Sequence, residues 1–283
     1  MSEQRARSLR ALWLGQRLKR IRVDAGMTLK QIGDYIRRDN ATVSRIESGF
    51  LPARIPEVLA YLDLCGADDP RQREGLKRVS QEVFREGWWD DRVDSIEDEF
   101  VNVVWLESMA NSIQSYEVHV PGLLQTRSYA EALVRGGVEP GTDSEIAEGL
   151  GIRMQRQERL TAEDPLRLSV VVDEVALRRP IGSARVMREQ LQHLLDFSTR
   201  PNVSVRVLPL SAGAHPSIDG PFNILRIAEP GFDVAFTDTR AGTIVLESAW
   251  VETLTLVYAS LVEMALGPKK SNEAIAAAIE EFA

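Results

Sequence analysis

Between Thr28 and Gly49 the sequence places two short amphipathic helices with only three polar residues between them, a spacing that few folds accept. Thr28 is a good N-cap, and Leu29, Ile32 and Ile36 recur at helical spacing behind it. Arg37, Arg38 and Asp39 form a turn, and Asp39 is suited to cap the next helix, which holds Val43 and Ile46 and is stopped by Gly49. On a wheel of about 100° per residue, Asn40, Ala41, Ser44 and Arg45 share one side of that helix, and Val43 and Ile46 take the other. Upstream, Leu14, Leu18 and Ile21 predict a first helix, with Arg17, Lys19, Arg20 and Arg22 between them and Gly26 to end it. Downstream, Pro56 fits the first turn of a fourth helix whose buried face is Ile55, Val58, Leu59 and Leu62. Residues 70–86 read as a fifth helix, and Trp88-Trp89-Asp90-Asp91 as the edge of a linker.

The polar side of the third helix has a definite chemistry. Asn can bond an adenine edge in two places and Arg a guanine edge. Ala can touch a thymine methyl, and Ser can bond bases or phosphates. The helix starts at Thr28 and Asp39 offer backbone N–H groups to phosphates, although the charge of Asp39 makes it a cap first. Any amphipathic bundle presents a polar outer face; the capped helix, short turn and second capped helix make this one narrower. Charge agrees. Residues 1–86 hold 17 basic and 12 acidic side chains, a balance of +5, while the whole chain is at −8 and the remainder therefore at −13. A basic head on an acidic body suits a polyanion-binding module joined to a domain with another task.

The rest of the chain predicts helices at 97–116, 127–136 and 144–162, a strand from Leu166 to Val172, and a helix around Ala184–Thr199. Val203 to Leu208 alternates as a strand, and 222–227, 233–238 and 243–247 are shorter strand candidates. Trp250 to Leu266 reads as a long apolar helix, and Ser271 as the cap of a last one from Asn272 to Phe282. The expected fold is an all-α helix-turn-helix N-terminal domain, residues 14–86, followed by an α+β C-terminal domain with a small mixed sheet, residues 87–283.

The stretch Leu18-Lys-Arg-Ile-Arg-Val-Asp-Ala-Gly-Met-Thr-Leu-Lys-Gln-Ile-Gly33, with Thr42-Val-Ser-Arg-Ile-Glu-Ser-Gly49, resembles the Cro/CI-type (xenobiotic-response-element) helix-turn-helix family. That resemblance implies a sequence-specific regulator that binds double-stranded DNA. It assigns base contacts to Asn40, Ala41 and Arg45, and contacts with bases or backbone to Ser44 and Thr42, of which Ser44 is expected on a base and Thr42 on the backbone; backbone contacts are further expected of Thr28, Lys30, Arg37 and Arg38. It assigns a structural salt bridge to Arg22 and Glu47, which sets Glu47 aside as a DNA contact. Two departures stand out. Leu29 replaces a glutamine that in the family contacts DNA. Arg37 and Arg38 replace a glycine and an apolar residue, so the pair either distorts the turn or adds two phosphate contacts, and the second is favoured.

Four further stretches resemble the C-terminal domain of WhiJ-like, antitoxin-like actinobacterial regulators: Tyr116-Glu-Val-His-Val-Pro-Gly-Leu-Leu-Gln-Thr126, Arg153-Met-Gln-Arg-Gln-Glu-Arg-Leu160, Val170 to Pro180, and Asn202 to Pro209. The resemblance implies control by a partner protein or ligand. The alternative it raises is an antitoxin-like protein that binds a small acidic partner. A homodimer is expected because helix-turn-helix proteins commonly pair across a two-fold axis.

Little in the body suggests chemistry. Three scattered histidines and the single Cys65 fit no zinc spacing, and no phosphate-binding glycine loop is present, so no cofactor and no enzymatic activity are expected. Asp173 and Glu174, at a strand end, are the only acid–base candidates. Arg153, Arg156 and Arg159 form a stripe, read as a solvated face paired with Glu158 and Glu163 rather than a docking surface for an acidic partner. With no membrane-length apolar run and no secretory pattern, the expected location is the cytoplasm, on the nucleoid when DNA is bound.

Overall fold

The computed structural model describes residues 9–83, 98–138, 141–227, 232–239, 242–247 and 249–283. The chain divides into two compact units, residues 1–105 with 228–232, and residues 106–227 with 233–283. The expected boundary at residue 86, the end of the fifth helix and the Trp88–Asp91 stretch lie outside the described residues.

The first unit is built on α1 (Leu9–Asp24), α2 (Leu29–Ile36), α3 (Asn40–Glu47), α4 (Ile55–Leu64) and α5 (Pro70–Glu82). Leu14, Leu18, Ile32, Val43, Ile46, Val58, Leu62, Leu76 and Val79 are all buried, so each helix gives one apolar stripe to a common core. Helix α1 lies close against α3. A Cβ on Gly15 would sit 2.2 Å from the Ile46 carbonyl oxygen, so only glycine permits that approach. Residues 98–109 form α6 (Asp98–Met109), which spans the division between the units.

The second unit carries a six-stranded sheet in the order β3-β2-β1-β4-β5-β6. Its strands are β1 (Ser112–Glu117), β2 (Arg167–Asp173), β3 (Val203–Leu208), β4 (Phe222–Ile227), β5 (Phe232–Thr239) and β6 (Gly242–Glu247). The first three are mutually parallel; β4 runs antiparallel to β1, and β6 to β5. Parallel neighbours need long crossovers. Helices α7 (Arg127–Arg135) and α8 (Asp143–Gln157) connect β1 to β2, and α9 (Val175–Arg178) with α10 (Ala184–Ser198) connect β2 to β3. Helix α11 (Ala249–Met264) covers one face, where Tyr116, Val171, Leu208, Phe222, Ile224 and Ala235 meet Val251, Tyr258 and Leu261. The last helix is α12 (Pro268–Glu281). The fold class is as expected: a helical helix-turn-helix region, then helices with a mixed sheet.

Two expected elements are corrected. The helix expected over 97–116 ends at Met109, and Ser112–Glu117 is instead β1, a central strand. Its inward positions include Ser115 and Glu117, both buried, so polar residues hide the two-residue alternation. Ser271 does not cap the last helix, which begins at Pro268 after Gly267. The Ser271 hydroxyl instead donates to the Leu266 carbonyl and accepts the Val207 N–H, each at 3.0 Å.

Candidate nucleic-acid interface

Helix α3 is capped by Asp39, whose carboxylate accepts the Thr42 N–H at 2.6 Å. That bond holds the Asp39 carboxyl below the usual carboxylate range. On the helix Asn40, Ala41, Ser44 and Arg45 are exposed, while Thr42, Val43, Ile46 and Glu47 are buried. Thr42 therefore has little surface to offer a phosphate; its hydroxyl lies 3.5 Å from the Arg45 guanidinium.

Helix α2 starts at Thr28 with a reciprocal cap. The Thr28 hydroxyl accepts the Gln31 N–H at 3.2 Å, and the Gln31 side-chain oxygen accepts the Thr28 N–H at 2.8 Å. The cap takes the Thr28 and Gln31 amides at this helix start. Lys30 and Gln31 are exposed beside it, and Leu29 is half-buried. The Thr-x-x-Gln signature of this cap is present in the sequence, Thr28 to Gln31.

The turn between α2 and α3 is ordered by its arginines. Arg37 takes the left-handed conformation, φ 57° and ψ 47°, where helix ends usually place glycine. The Arg38 N–H donates to the Gly33 carbonyl at 2.8 Å. Both side chains are exposed, but Arg38 bonds Glu57 at 3.0 and 2.8 Å. Glu57 also accepts the Arg54 N–H at 2.9 Å, tying the turn to the start of α4.

Beneath α3 lies a buried ionic knot. Arg22 Nε and Nη2 bond the two Glu47 oxygens at 2.6 and 2.9 Å, and Arg22 Nη1 donates to the Met27 carbonyl at 2.8 Å. The Tyr61 hydroxyl donates to Glu47 as well. The Glu47 hydrogen bond raises the Arg22 pKa, and burial raises that of the Tyr61 phenol. A short bidentate pair with its remaining acceptor capacity filled is the arrangement in which buried charges are tolerated. Tyr61 was not identified from the sequence, since the apolar stripe of α4 explains its position equally well.

In the second unit the stretches Tyr116–Thr126 and Arg153–Leu160 are joined by internal hydrogen bonds. Gln157 donates to the carbonyls of Gly122 and Gln125 at 3.0 and 2.7 Å, and Gln190 to that of Leu124 at 2.7 Å. Arg153 bonds Gln125 at 2.5 Å, Arg156 holds Glu107 in two bonds of 2.6 Å, and Arg159 donates to the Ala110 carbonyl at 2.9 Å. The expected solvated stripe paired with Glu158 and Glu163 is corrected: these arginines are partly buried and point inward, while both glutamates are exposed. Burial lowers the Arg153 pKa to about 10 and raises that of Glu117, which accepts a 3.3 Å bond from Asn223, to about 8.

The acid–base candidates have structural partners. Asp173 accepts the Tyr116 hydroxyl at 3.0 Å and the Val175 N–H at 2.9 Å; Glu174 accepts the Leu210 N–H and pairs with Arg178, both at 2.8 Å. An open cleft of about 450 Å³ is lined by Thr126, Arg188, Glu189, His193, Asp196 and Ile279, a set of mixed charge. No helix of the described residues is long and apolar enough to cross a membrane.

A family model described as "Domain of unknown function (DUF5753)" matches residues 100–277, well over half of the chain. The chain belongs to the DUF5753 family. A second model, described as a helix-turn-helix domain, matches residues 13–75, which cover most of α1, all of α2 to α4 and the start of α5. The DUF5753 member is thus a helix-turn-helix protein whose larger part is the family domain. Neither the curated proteins nor the solved structures include a match to it.

Proposed function

We propose that this DUF5753 protein is a sequence-specific transcriptional regulator that binds double-stranded DNA as a homodimer and is controlled through its C-terminal domain. The observation that carries the reading is the two-sidedness of α3. Asn40, Ala41, Ser44 and Arg45 are exposed on one side, and Val43, Ile46 and Glu47 anchor the other. A recognition helix needs that division: base-reading groups toward the groove and a rigid back. Arg37, Arg38 and Lys30 are exposed nearby as cations for the phosphate backbone. Two copies would place two such helices about 34 Å apart on one side of the duplex. The likeness of the C-terminal stretches to WhiJ-like regulators favours a domain that receives a partner protein or ligand. The reading contains no catalytic step.

Genome-wide footprinting of the full chain, beside an Arg45→Ala variant, tests it. The wild type should occupy discrete sites. The variant should relax preference at one base position of the motif, at a cost of about 1–3 kcal/mol. Wild-type occupancy indistinguishable from non-specific background would overturn the reading.

A further inference from the structure

The two faces of the parallel strands are filled differently. On one face every side chain is buried, at alternate positions from Ile113 to Glu117, from Leu168 to Val172 and from Val203 to Val207. The other face is buried only toward the carboxyl ends of the strands, where Tyr116, Val171 and Leu208 pack with Tyr258 and Leu261 of α11. Two residues earlier on this face stand Gln114, Ser169 and Arg206, and two before those Ser112, Arg167 and Ser204. None of these six is buried. Arg226 of β4 is exposed on the same face, two residues past Ile224. Parallel strands are usually covered by helices on both faces. Here α11 covers the apolar half, and the polar half is left partly exposed.

The register spaces the cations of that half. Ser112 lies between Arg167 of β2 and Arg226 of β4, so the two arginine Cα atoms are about 10 Å apart. Arg206 is opposite Val171, four residues along β2 from Arg167 and one strand over, about 14 Å away. Among the described residues neither Arg167 nor Arg206 is paired with a carboxylate, and Arg226 has only Asp233 at 3.8 Å. The floor between them is low and polar. The Tyr258 hydroxyl meets Ser169, and the Gln114 side-chain oxygen is buried without a hydrogen-bond partner. These arginines stand in the part of the chain whose balance is −13, so the patch is opposite in sign to the rest of its domain.

From the half-covered face and its spaced arginines we propose that the polar half of the sheet receives an acidic helix of a partner protein, laid beside α11 with carboxylates over Arg167, Arg206 and Arg226. Cations this far apart exceed the span of one small anion. They match a helix, on which residues seven apart share a face at a separation of about 10.5 Å. The strip from Tyr116 to Ser112 is four residues long, about 13 Å, which accommodates one more helix at the usual spacing of about 8–10 Å. Arginine binds carboxylates in paired bonds, and the serine floor lets a helix backbone lie close. The acidic surface elsewhere on the domain would repel the same helix, which gives the site its specificity. The inference names the kind of partner for the control proposed above and rests on that reading.

Anisotropy titrations of the full chain test it with a labelled alanine-based helical peptide of about 21 residues carrying glutamate at every seventh position. Its glutamine and lysine counterparts are the controls. The glutamate peptide should bind at least about tenfold more tightly than the glutamine one. Arg167→Glu and Arg206→Gln should each keep the wild-type circular dichroism and remove most of that preference, and Arg167→Glu should gain affinity for the lysine peptide. Arg167 is exposed, so its variant keeps the test open if the Arg206 variant folds poorly. Arg185→Glu, on the exposed surface of α10, should change nothing. Equal binding of the glutamate and glutamine peptides would overturn the proposal. So would a preference that survives both sheet variants and disappears in Arg37→Ala, which would put the peptide on the first unit. A flatter salt slope for duplex DNA in Arg167→Glu, with the peptide preference intact, would assign the face to nucleic acid instead. The wild-type footprint still decides DNA reading, whichever way the peptides behave.

Discussion

Arg37 joins two effects that separate substitutions can pull apart. It holds a left-handed conformation at the end of α2, φ 57°, and its side chain is exposed beside the proposed DNA-reading helix. A residue with a Cβ pays about 1–2 kcal/mol for that conformation. Arg37→Gly removes the strain, and the freer unfolded chain returns about 0.4–1 kcal/mol of the gain. The net expectation is a first unit more stable than wild type by about 0.5–1 kcal/mol. Arg37→Ala keeps the strain and should stay within about 0.5 kcal/mol of wild type. Hydrogen exchange at the buried Val43 and Ile46 amides of α3, measured in the full chain, reports opening of this unit. For DNA the two variants should behave alike. Each loses one phosphate contact, so the slope of log affinity against log salt should flatten by about 0.9 in both. Equal stability of the two variants would refute the backbone argument. An unchanged salt slope would refute the phosphate contact, whatever the stabilities.

Glu47→Ala leaves Arg22 buried without its partner and Tyr61 without its acceptor, and should destabilise the first unit by about 3–5 kcal/mol, read as loss of protection at the same α3 amides. Arg38→Ala should flatten the salt slope less than Arg37→Ala, because Glu57 already engages that guanidinium; anisotropy titrations in increasing salt decide it. Glu117 gives a pH prediction of definite sign. Its folded pKa is raised to about 8, so at intermediate pH the folded chain holds a proton that the unfolded chain has released. Stability of the second unit should therefore fall as pH rises from the ordinary carboxylate range toward 8, by up to about 1.4 kcal/mol per unit, and level off above. Glu117→Gln should remove that slope in urea titrations at stepped pH; an equal slope in both proteins would place the titration elsewhere.

What could be read from the sequence follows from how each residue is used. Leu18, Ile32, Val43 and Ile46 are buried because apolar groups leave water, and helical spacing shows that directly. The exposed face of α3 is the complement of the same pattern. The close approach of α1 to α3 at Gly15 was not readable, because a glycine inside a helix looks like a weak propensity until the opposing carbonyl is known. Polar groups used inside the fold were also misread. Arg153, Arg156 and Arg159 recur every three residues, as a solvated face would, yet their partners Gln125, Glu107 and the Ala110 carbonyl lie far away in the chain. Ser115 and Glu117 broke the alternation of β1 for the same reason.

The two units hold their charges in different ways, and this bears on where a signal can act. In the first, Glu47 is closed on three sides by Arg22 and Tyr61, so displacing it means breaking α3 from its support. In the second, Glu117 has one 3.3 Å bond from Asn223 and a pKa near 8, so its charge changes within the range a cell experiences. Under the proposed function, a reading helix held rigidly in one unit and a titrating group buried in the other would keep base preference independent of that titration. Variation at Glu117 should alter the stability of the C-terminal domain with pH while leaving the base preference proposed for Asn40 and Arg45 unchanged. A shift in the footprint motif of Glu117→Gln would refute that separation.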